Sequence, residues 1–398
     1  MTRFLITANS PGEMAGWVKP ILNRWREREL GPVDILLLPC SFATGQEERV
    51  ASSLEGVERI YRPSDYFKLL LKYGRDYKTG HLLHLGGDLM YSALLSWRWG
   101  ISSWSYLWAR PWWDSAFQGY FTKDKWGIEW LKKRKVTENK IHLIGDLVLD
   151  SIRQRIAQPA EKRLAQVSYL PGSRREELSL LTPFFLECHR RISQRFPGTK
   201  GILHLSPYLP PEEISTLLTQ PPDPAVGGIK GLVEGQYLKA PGVELLLSGA
   251  DNHQHLAHSE LAVSIPGTKT AEAGYLRTPT ITILPLNKPE YLPSIGLLGL
   301  LDFVPGGRYL KGKLLLRMKD KLSFLAHPNI LAQEALLPEY VENIEVDSLS
   351  SRIGDIFANK KRLLEVRQTL ETLYSWDNRP SAELVNIITA SFQSESNF

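Results

Sequence analysis

The sequence predicts an α/β protein made of two similar domains, each a mostly parallel sheet covered by helices. Three observations carry this. Over its first half the chain of 398 residues alternates short strand-like runs with helix-like segments, the pattern that gives parallel sheets with helical crossovers. At 157–162 the chain turns polar, and the same pattern restarts at Val167. Twice after that restart an apolar run turns through glycine into a helix: 167–170 into Pro171-Gly172-Ser173-Arg174, and 261–265 into Gly267-Thr268-Lys269-Thr270. This length is long for one core and comfortable for two.

In the first domain, expected at 1–160, residues 3–8, 33–39, 81–85 and 141–144 read as strands, 15–29 as a helix, and a further helix starts at about Leu89. In the second, 161–355, strands are expected at 167–170, 201–205, 243–247, 261–265 and 280–284. A helix over 179–196 aligns Leu180, Phe184, Cys188 and Ile192 on one face. Residues 356–398 read as C-terminal helices packing back on the N-terminal domain, within a helical stretch that begins near Leu349 and frays after Ser391. Two such domains are expected to meet at a cleft, with ligands at the C-terminal ends of the strands.

Composition narrows the function. A hydrophobic share of 43% and a charged share of 23% are ordinary for a globular protein. Cys40 and Cys188 have no His or Cys companion at ligand spacing, so neither a zinc site nor a disulfide framework is expected. The net charge of +5 comes without a recognition motif or dense basic block, so nucleic acid is not expected as a partner; phosphorylated substrates or an anionic membrane face account for it. The first apolar run is too short for a signal peptide, and no stretch of ~18 apolar residues exists for a span. The expected location is cytoplasmic.

The two glycine turns carry the chemistry. A strand that turns through glycine into a helix aims backbone N–H groups and the positive end of the helix dipole at one spot, which suits a phosphate. Two such spots in one domain suggest a diphosphate ligand, and a nucleotide sugar is the obvious candidate. Gly172, Ser173 and Arg174 supply a tight turn, a hydroxyl and a guanidinium fork. Gly267, Thr268 and Thr270 supply the second turn, Lys269 adds charge, and Glu272 is placed to accept the hydroxyls of a ribose. A plain helix start rarely carries this set.

Other segments read two ways. Gly12 and Glu13, in the loop after the first strand, form either a wall of the cleft near an acceptor or an ordinary turn with an acidic helix start. Asp88 in Gly86-Gly87-Asp88 is a general base for an acceptor hydroxyl or simply the N-cap of the next helix, and alone the cap is favoured. Trp97, Trp99, Trp104, Trp108, Trp112 and Trp113 crowd into seventeen residues, over half of the eleven tryptophans. They suit a lipid or membrane contact, with Trp104, Trp108 and Trp112 the named candidates, or a core. The stretch from Ser248 to His253 holds a nucleotide base or is a plain loop. Asn329 bonds sugar or phosphate, or marks a turn.

The order of these motifs resembles lipid-A-disaccharide synthase, an inverting glycosyltransferase family of the two-Rossmann-domain (GT-B) architecture. Leu170 to Glu177 matches Leu-Pro-Gly-Ser-Arg-x-x-Glu, and Gly267 to Glu272 matches Gly-Thr-x-Thr-x-Glu. Gly145 to Asp150 is similar to Gly-His-Pro-Leu-x-Asp, the loop at Gly12 and Glu13 to Ala-Ser-Gly-Asp-x-x-Gly, and Pro328-Asn329 with Pro338-Glu339 to Pro-Asn…Val-Pro-Glu. Pro266, Lys269 and Asp146 depart from the family, which has Ser, a small residue and His there, and mark a divergent member. The resemblance implies that Arg174, Thr268, Glu272 and Asn329 bind a UDP-sugar donor and that Asp88 is the base. It also implies a peripheral membrane enzyme with a lipid-linked acceptor and no obligatory metal; no cofactor is expected, the UDP-sugar being a substrate. The rival readings are a UDP-sugar epimerase or hydrolase on the same scaffold and a non-catalytic nucleotide-sugar binder. The sugar, the acceptor and the oligomeric state, a homo-oligomer included, stay open.

Overall fold

Strand β1 (Phe4–Ala8) is buried along its whole length and pairs in parallel with β2 (Val33–Leu37) on one side and β4 (His81–His84) on the other. A strand covered on both faces needs a continuous apolar run rather than alternation, and Phe-Leu-Ile-Thr-Ala provides one. This strand lies inside the sheet of the first of two units in a computed structural model that describes residues 3–39, 45–72, 77, 80–206, 209–249, 253–288 and 324–395. The units are Met1–Gln154 with Asp377–Phe398, and Arg155–Trp376.

The first sheet continues with β3 (Val57–Tyr61), β5 (Ser102–Tyr106), β6 (Gly119–Thr122) and β7 (Ile141–Leu143), all parallel, in the order β3-β2-β1-β4-β5-β6-β7. That is a Rossmann order, and it reverses direction between β1 and β4. The helix after β1 is interrupted: α-helical Pro11–Glu13 passes into a π-turn segment, Met14–Val18, before regular helix resumes over Lys19–Glu27. Such π insertions cluster at functional sites. A final helix, Pro380–Glu395, is tied to this unit by the Ser381 N–H, which donates to Asp150 Oδ2 at 2.7 Å, and it buries Leu384, Val385 and Ile388.

The second unit repeats the plan. Strands β8 (Leu164–Leu170), β9 (Lys200–Leu205), β12 (Val243–Gly249), β13 (Ser259–Ser264), β14 (Thr280–Pro285) and β15 (Glu339–Glu342) are parallel, in the order β12-β9-β8-β13-β14-β15. The hairpin of β10 (Leu232–Glu234) and β11 (Tyr237–Ala240) adds an antiparallel edge. The long helix Arg175–Arg195 buries Leu180, Phe184, Cys188 and Ile192, and it begins a turn earlier than the expected 179.

Two expectations shift. The first unit ends at Gln154 rather than 160. Of residues 356–398, those up to Trp376 group with the second unit, including the helix Lys360–Leu373, and the remainder with the first. The tryptophans also divide. Trp104, expected at a lipid contact, is buried in β5 and stacks on Phe121 at 5.4 Å; Gly119 on the neighbouring strand leaves room for its ring, since a Cβ there would come within 2.5 Å of it. A side chain in the middle of a covered parallel strand has no route to a membrane. Trp99 is buried against Tyr77, whereas Trp97, Trp108 and Trp112 are 49%, 46% and 66% exposed. Among the described residues no helix is long and apolar enough to cross a membrane.

Candidate functional site

The two glycine turns of the second unit follow adjacent strands. Leu170, last in β8, is in register with Ser264, last in β13, so the turns at Gly172 and Gly267 leave the same edge of the sheet where its order reverses. The loops touch: a Cβ on Gly172 would lie 2.5 Å from Ile265 Cδ1. Both glycines have positive φ, +112° and +148°, a region in which other residues are strained. Among the described residues nothing lies within 4 Å of where a Cβ of Gly267 would stand. A ligand can therefore approach the start of the helix Thr268–Tyr275 without a side chain in its way.

The donors and acceptors around this opening are unevenly committed. Glu177 Oε2 accepts from the Ser173 N–H at 3.1 Å and the Arg174 N–H at 3.2 Å, while its Oε1 takes the Arg174 guanidinium at 3.0 Å. Two of the N–H groups that the turn was expected to offer a phosphate are thus already satisfied by a carboxylate of the same helix. Burial pushes the Glu177 carboxyl up, opposed by Arg174 and the two N–H groups. The hydroxyls of Ser173 and Thr268 have no partner among the described residues. Thr270 is internal: its hydroxyl donates to the Gly267 carbonyl at 2.8 Å and accepts from the His327 N–H at 3.0 Å.

Glu272 is buried one helical turn below the opening. Its Oε2 accepts from Lys269 Nζ at 2.7 Å and pairs with His253 Nε2 at 2.8 Å. Burial alone would raise this carboxyl, but Lys269 and His253 outweigh it and hold it at about 2. Oε1 accepts from no described residue. His253 is 4% exposed, and its Nδ1 has no partner among the described residues. The residues before it, Ala250 to Asn252, lie outside the described ones, as does most of the basic stretch 310–325.

In the first unit the equivalent reversal, between β1 and β4, holds Glu13. Its Oε2 accepts from the N–H groups of Asn9 at 2.8 Å and Ser10 at 3.1 Å. The carboxyl is half-buried against Gly86, where a Cβ would fall 2.0 Å from Oε2. Burial raises it to about 7 despite those bonds, and no cation pairs with it among the described residues. Gly12 sits in the same helical turn. Below, on β4, His84 is fully buried, bonded through Nδ1 to Ser92 and Thr7, and desolvation lowers it to about 3.

No protein-family model matches the chain. Its sequence is 23% identical over 241 residues to the lipid-A-disaccharide synthase of Pseudomonas putida, covering 58% of this chain and 53% of that protein. With the synthase of Nitrosococcus oceani it is 27% identical over 202 residues, 51% of this chain and 41% of that protein. The chain is a divergent relative of lipid-A-disaccharide synthase. It spans about half the length of the curated relatives it matches. Solved structures share its fold along the whole chain: the S. aureus MnaA complex with UDP (TM-score 0.59, 11% identity, 99% of this chain and 97% of that one), and Acinetobacter baumannii MurG (0.52, 11%, 98% and 100%). At such identities the likeness is one of fold, and that fold is GT-B, two Rossmann-type units in one chain.

The motifs shared with lipid-A-disaccharide synthase then sort by what they touch. Gly172, Ser173, Arg174, Gly267, Thr268, Lys269 and Glu272 converge at one reversal point. Asn329, expected to bind donor, does not offer its amide: Nδ2 donates to the Leu337 carbonyl at 3.0 Å and Glu339 Oε1 at 2.8 Å, and Oδ1 accepts from the Leu336 N–H at 3.0 Å. Glu339 in turn accepts the N–H groups of Leu325 and Ala326. The synthase-like Pro-Asn…Pro-Glu block is therefore a clamp that fixes its own loop. Asp88 caps the helix Leu89–Trp99 through Met90 N at 2.9 Å and is held by both Arg110 nitrogens at 3.1 and 2.7 Å. Both of its oxygens are thus engaged. Two residues whose carboxylate partners the sequence did not reveal complete the picture. Arg110, in the tryptophan-rich stretch, pairs with Asp88. His253, last of the stretch from Ser248 read as a base-holding or plain loop, pairs with Glu272.

Proposed function

We propose that this protein is an inverting GT-B glycosyltransferase that moves a hexose, GlcNAc-type, from a UDP-sugar to a lipid or lipid-phosphate acceptor. The observation that carries this reading is the convergence of two glycine turns at the strand-order reversal of the second unit, with an ionised Glu272 beneath an opening that no described side chain fills. A nucleoside diphosphate matches that set. Its diphosphate takes the Ser173 and Thr268 hydroxyls, the Arg174 side chain and the positive end of the helix Thr268–Tyr275, and its ribose takes Glu272 Oε1. The same groups stabilise charge that builds on departing UDP.

Glu13 is the general base of this reading. Its carboxyl titrates near the working pH and has an oxygen, Oε1, with no described partner, which suits proton abstraction better than the capped and ion-paired Asp88. In the transfer the acceptor O–H proton goes to Glu13, the acceptor oxygen forms its bond to the sugar C1, and the C1–O bond to UDP breaks with its electron pair leaving on the diphosphate. One displacement inverts the anomeric centre. Exposed Trp108 and Trp112 support contact with a membrane face that carries the acceptor; no metal or cofactor enters the scheme, and the location is cytoplasmic.

The test is UDP release from UDP-GlcNAc, UDP-glucose and UDP-galactose, with and without membrane lipid extract. Release that requires lipid supports transfer. Release without lipid replaces the reading with hydrolysis or epimerisation, and tight UDP binding with no turnover replaces it with a non-catalytic binder.

A further inference from the structure

Lys269 occupies an odd place. It is the second residue of the helix Thr268–Tyr275, where a cation opposes the helix dipole, and no side chain caps that helix start. Its ammonium is held by one carboxylate, Glu272 Oε2, at 2.7 Å. Lys269 is one-third exposed whereas Glu272 is 8% exposed, so the ammonium bridges the opening at Gly267 and the buried acid below. Glu272 does not depend on it alone, because His253 Nε2 lies 2.8 Å from the same oxygen. The lysine can leave without abandoning a buried, unpaired charge.

A lysine ammonium is a point charge on a flexible stem, able to exchange partners without the geometric demands of a guanidinium. The diphosphate of a nucleotide arriving at the Gly172 and Gly267 turns is a stronger anionic partner than one shared carboxylate oxygen. We infer that Lys269 is a ligand-exchanged latch, resting on the reading of this site as one for a nucleoside diphosphate. Without ligand it occupies Glu272 Oε2; when the diphosphate binds, the ammonium moves to it and releases Oε2 for a second ribose hydroxyl. Glu272 then reads two hydroxyls only in a ligand that also brings a diphosphate. The latch makes the site selective for the diphosphate over the bare nucleoside, beyond what an added phosphate contact supplies.

Calorimetric titration of the full chain with UDP and with uridine tests this in the wild type, Lys269→Ala and Lys269→Met, the methionine keeping stem length without charge. The latch predicts opposite changes: UDP binding weakens by about tenfold while uridine binding tightens about three- to tenfold, because Oε2 is freed. Uridine affinity unchanged or weakened in both folded variants overturns the latch and leaves Lys269 as a phosphate contact or a surface pair. A folded wild type that binds neither UDP nor uridine overturns the donor-site reading itself, and the latch with it.

Discussion

Glu13 and Glu177 hold equivalent positions in the two units: each uses Oε2 to accept the N–H groups three and four residues before it, Ser10 and Asn9 in one case, Arg174 and Ser173 in the other. Each also lies against a glycine, Gly86 or Gly172, that leaves room for the carboxylate. They differ in the second oxygen. Arg174 sits on Glu177 Oε1 at 3.0 Å, whereas Glu13 has no cation, and of the two only Glu13 is lifted to about 7. One turn is braced for an anion, and the other is left with an acid poised to exchange a proton.

Glu13→Gln keeps the acceptor for both N–H groups and removes the proton site. Turnover falls by about 10²-fold or more while UDP affinity stays within about twofold. In the wild type a base near 7 must be ionised to act, so the rate falls as pH drops below about 7, and a rate–pH profile of kcat/KM reads this directly. Stability runs the other way. The folded carboxyl is raised above its ordinary value, so its contribution is lost as pH rises through about 7. Glu13→Gln therefore melts above the wild type at pH 8, and the gap closes towards pH 5.

Asp88→Asn tests the opposite assignment. Asparagine caps a helix nearly as well as aspartate, so stability changes little, while Asp88→Ala costs about 1 kcal/mol. Turnover in Asp88→Asn stays within about tenfold of the wild type; a loss as deep as that of Glu13→Gln would move the base to Asp88.

Arg174→Ala and Glu272→Ala each weaken UDP by about 10- to 100-fold, since each removes a charge-assisted contact. Asn329→Ala behaves differently. It strips three hydrogen bonds, two of them buried, from its loop and lowers stability by about 2–3 kcal/mol, but at a temperature where the variant is folded it binds UDP as the wild type does. Thermal melts beside calorimetry separate the two classes.

The tryptophans separate in the same way. Trp104→Ala opens a hole in the first sheet and costs about 3–5 kcal/mol. Replacing exposed Trp108 and Trp112 with serine together changes stability by less than about 1 kcal/mol. It lowers sedimentation with anionic vesicles and leaves UDP binding intact.

The central strands were legible because strands buried on both faces carry an apolar run, as β1 does with Phe4, Leu5 and Ile6 and β13 with Leu261, Ala262 and Val263. β5 was not: its Ser-Ser-Trp-Ser-Tyr mixes polar residues with apolar ones, and Ser105 donates to the Trp108 carbonyl at 2.7 Å. Its tryptophan therefore looked like part of a surface belt. Edge strand β3 carries Glu58 and Arg59 and edge strand β15 carries Glu339 and Glu342, and only pairing reveals them. Within the site, the glycine turns announced themselves through residues that few other contexts need. What those turns do with their N–H groups was hidden, because Glu177 and Glu13 reach back from the following helix, and a helix-start Glu reads the same whether it caps or waits for a ligand. His253 and Glu272 are nineteen residues apart, and only the crossover through β13 brings them together.

The helix Pro380–Glu395 belongs to the unit that the chain begins, which makes the second unit an insertion within the first. On the ribosome the second unit has all its strands once Trp376 has been made, while the first still lacks Leu384, Val385 and Ile388 from its core. The half that holds Glu13 thus matures after the half that holds Glu272, and shortening the tail by twenty residues strikes the earlier-made domain rather than its neighbour in sequence.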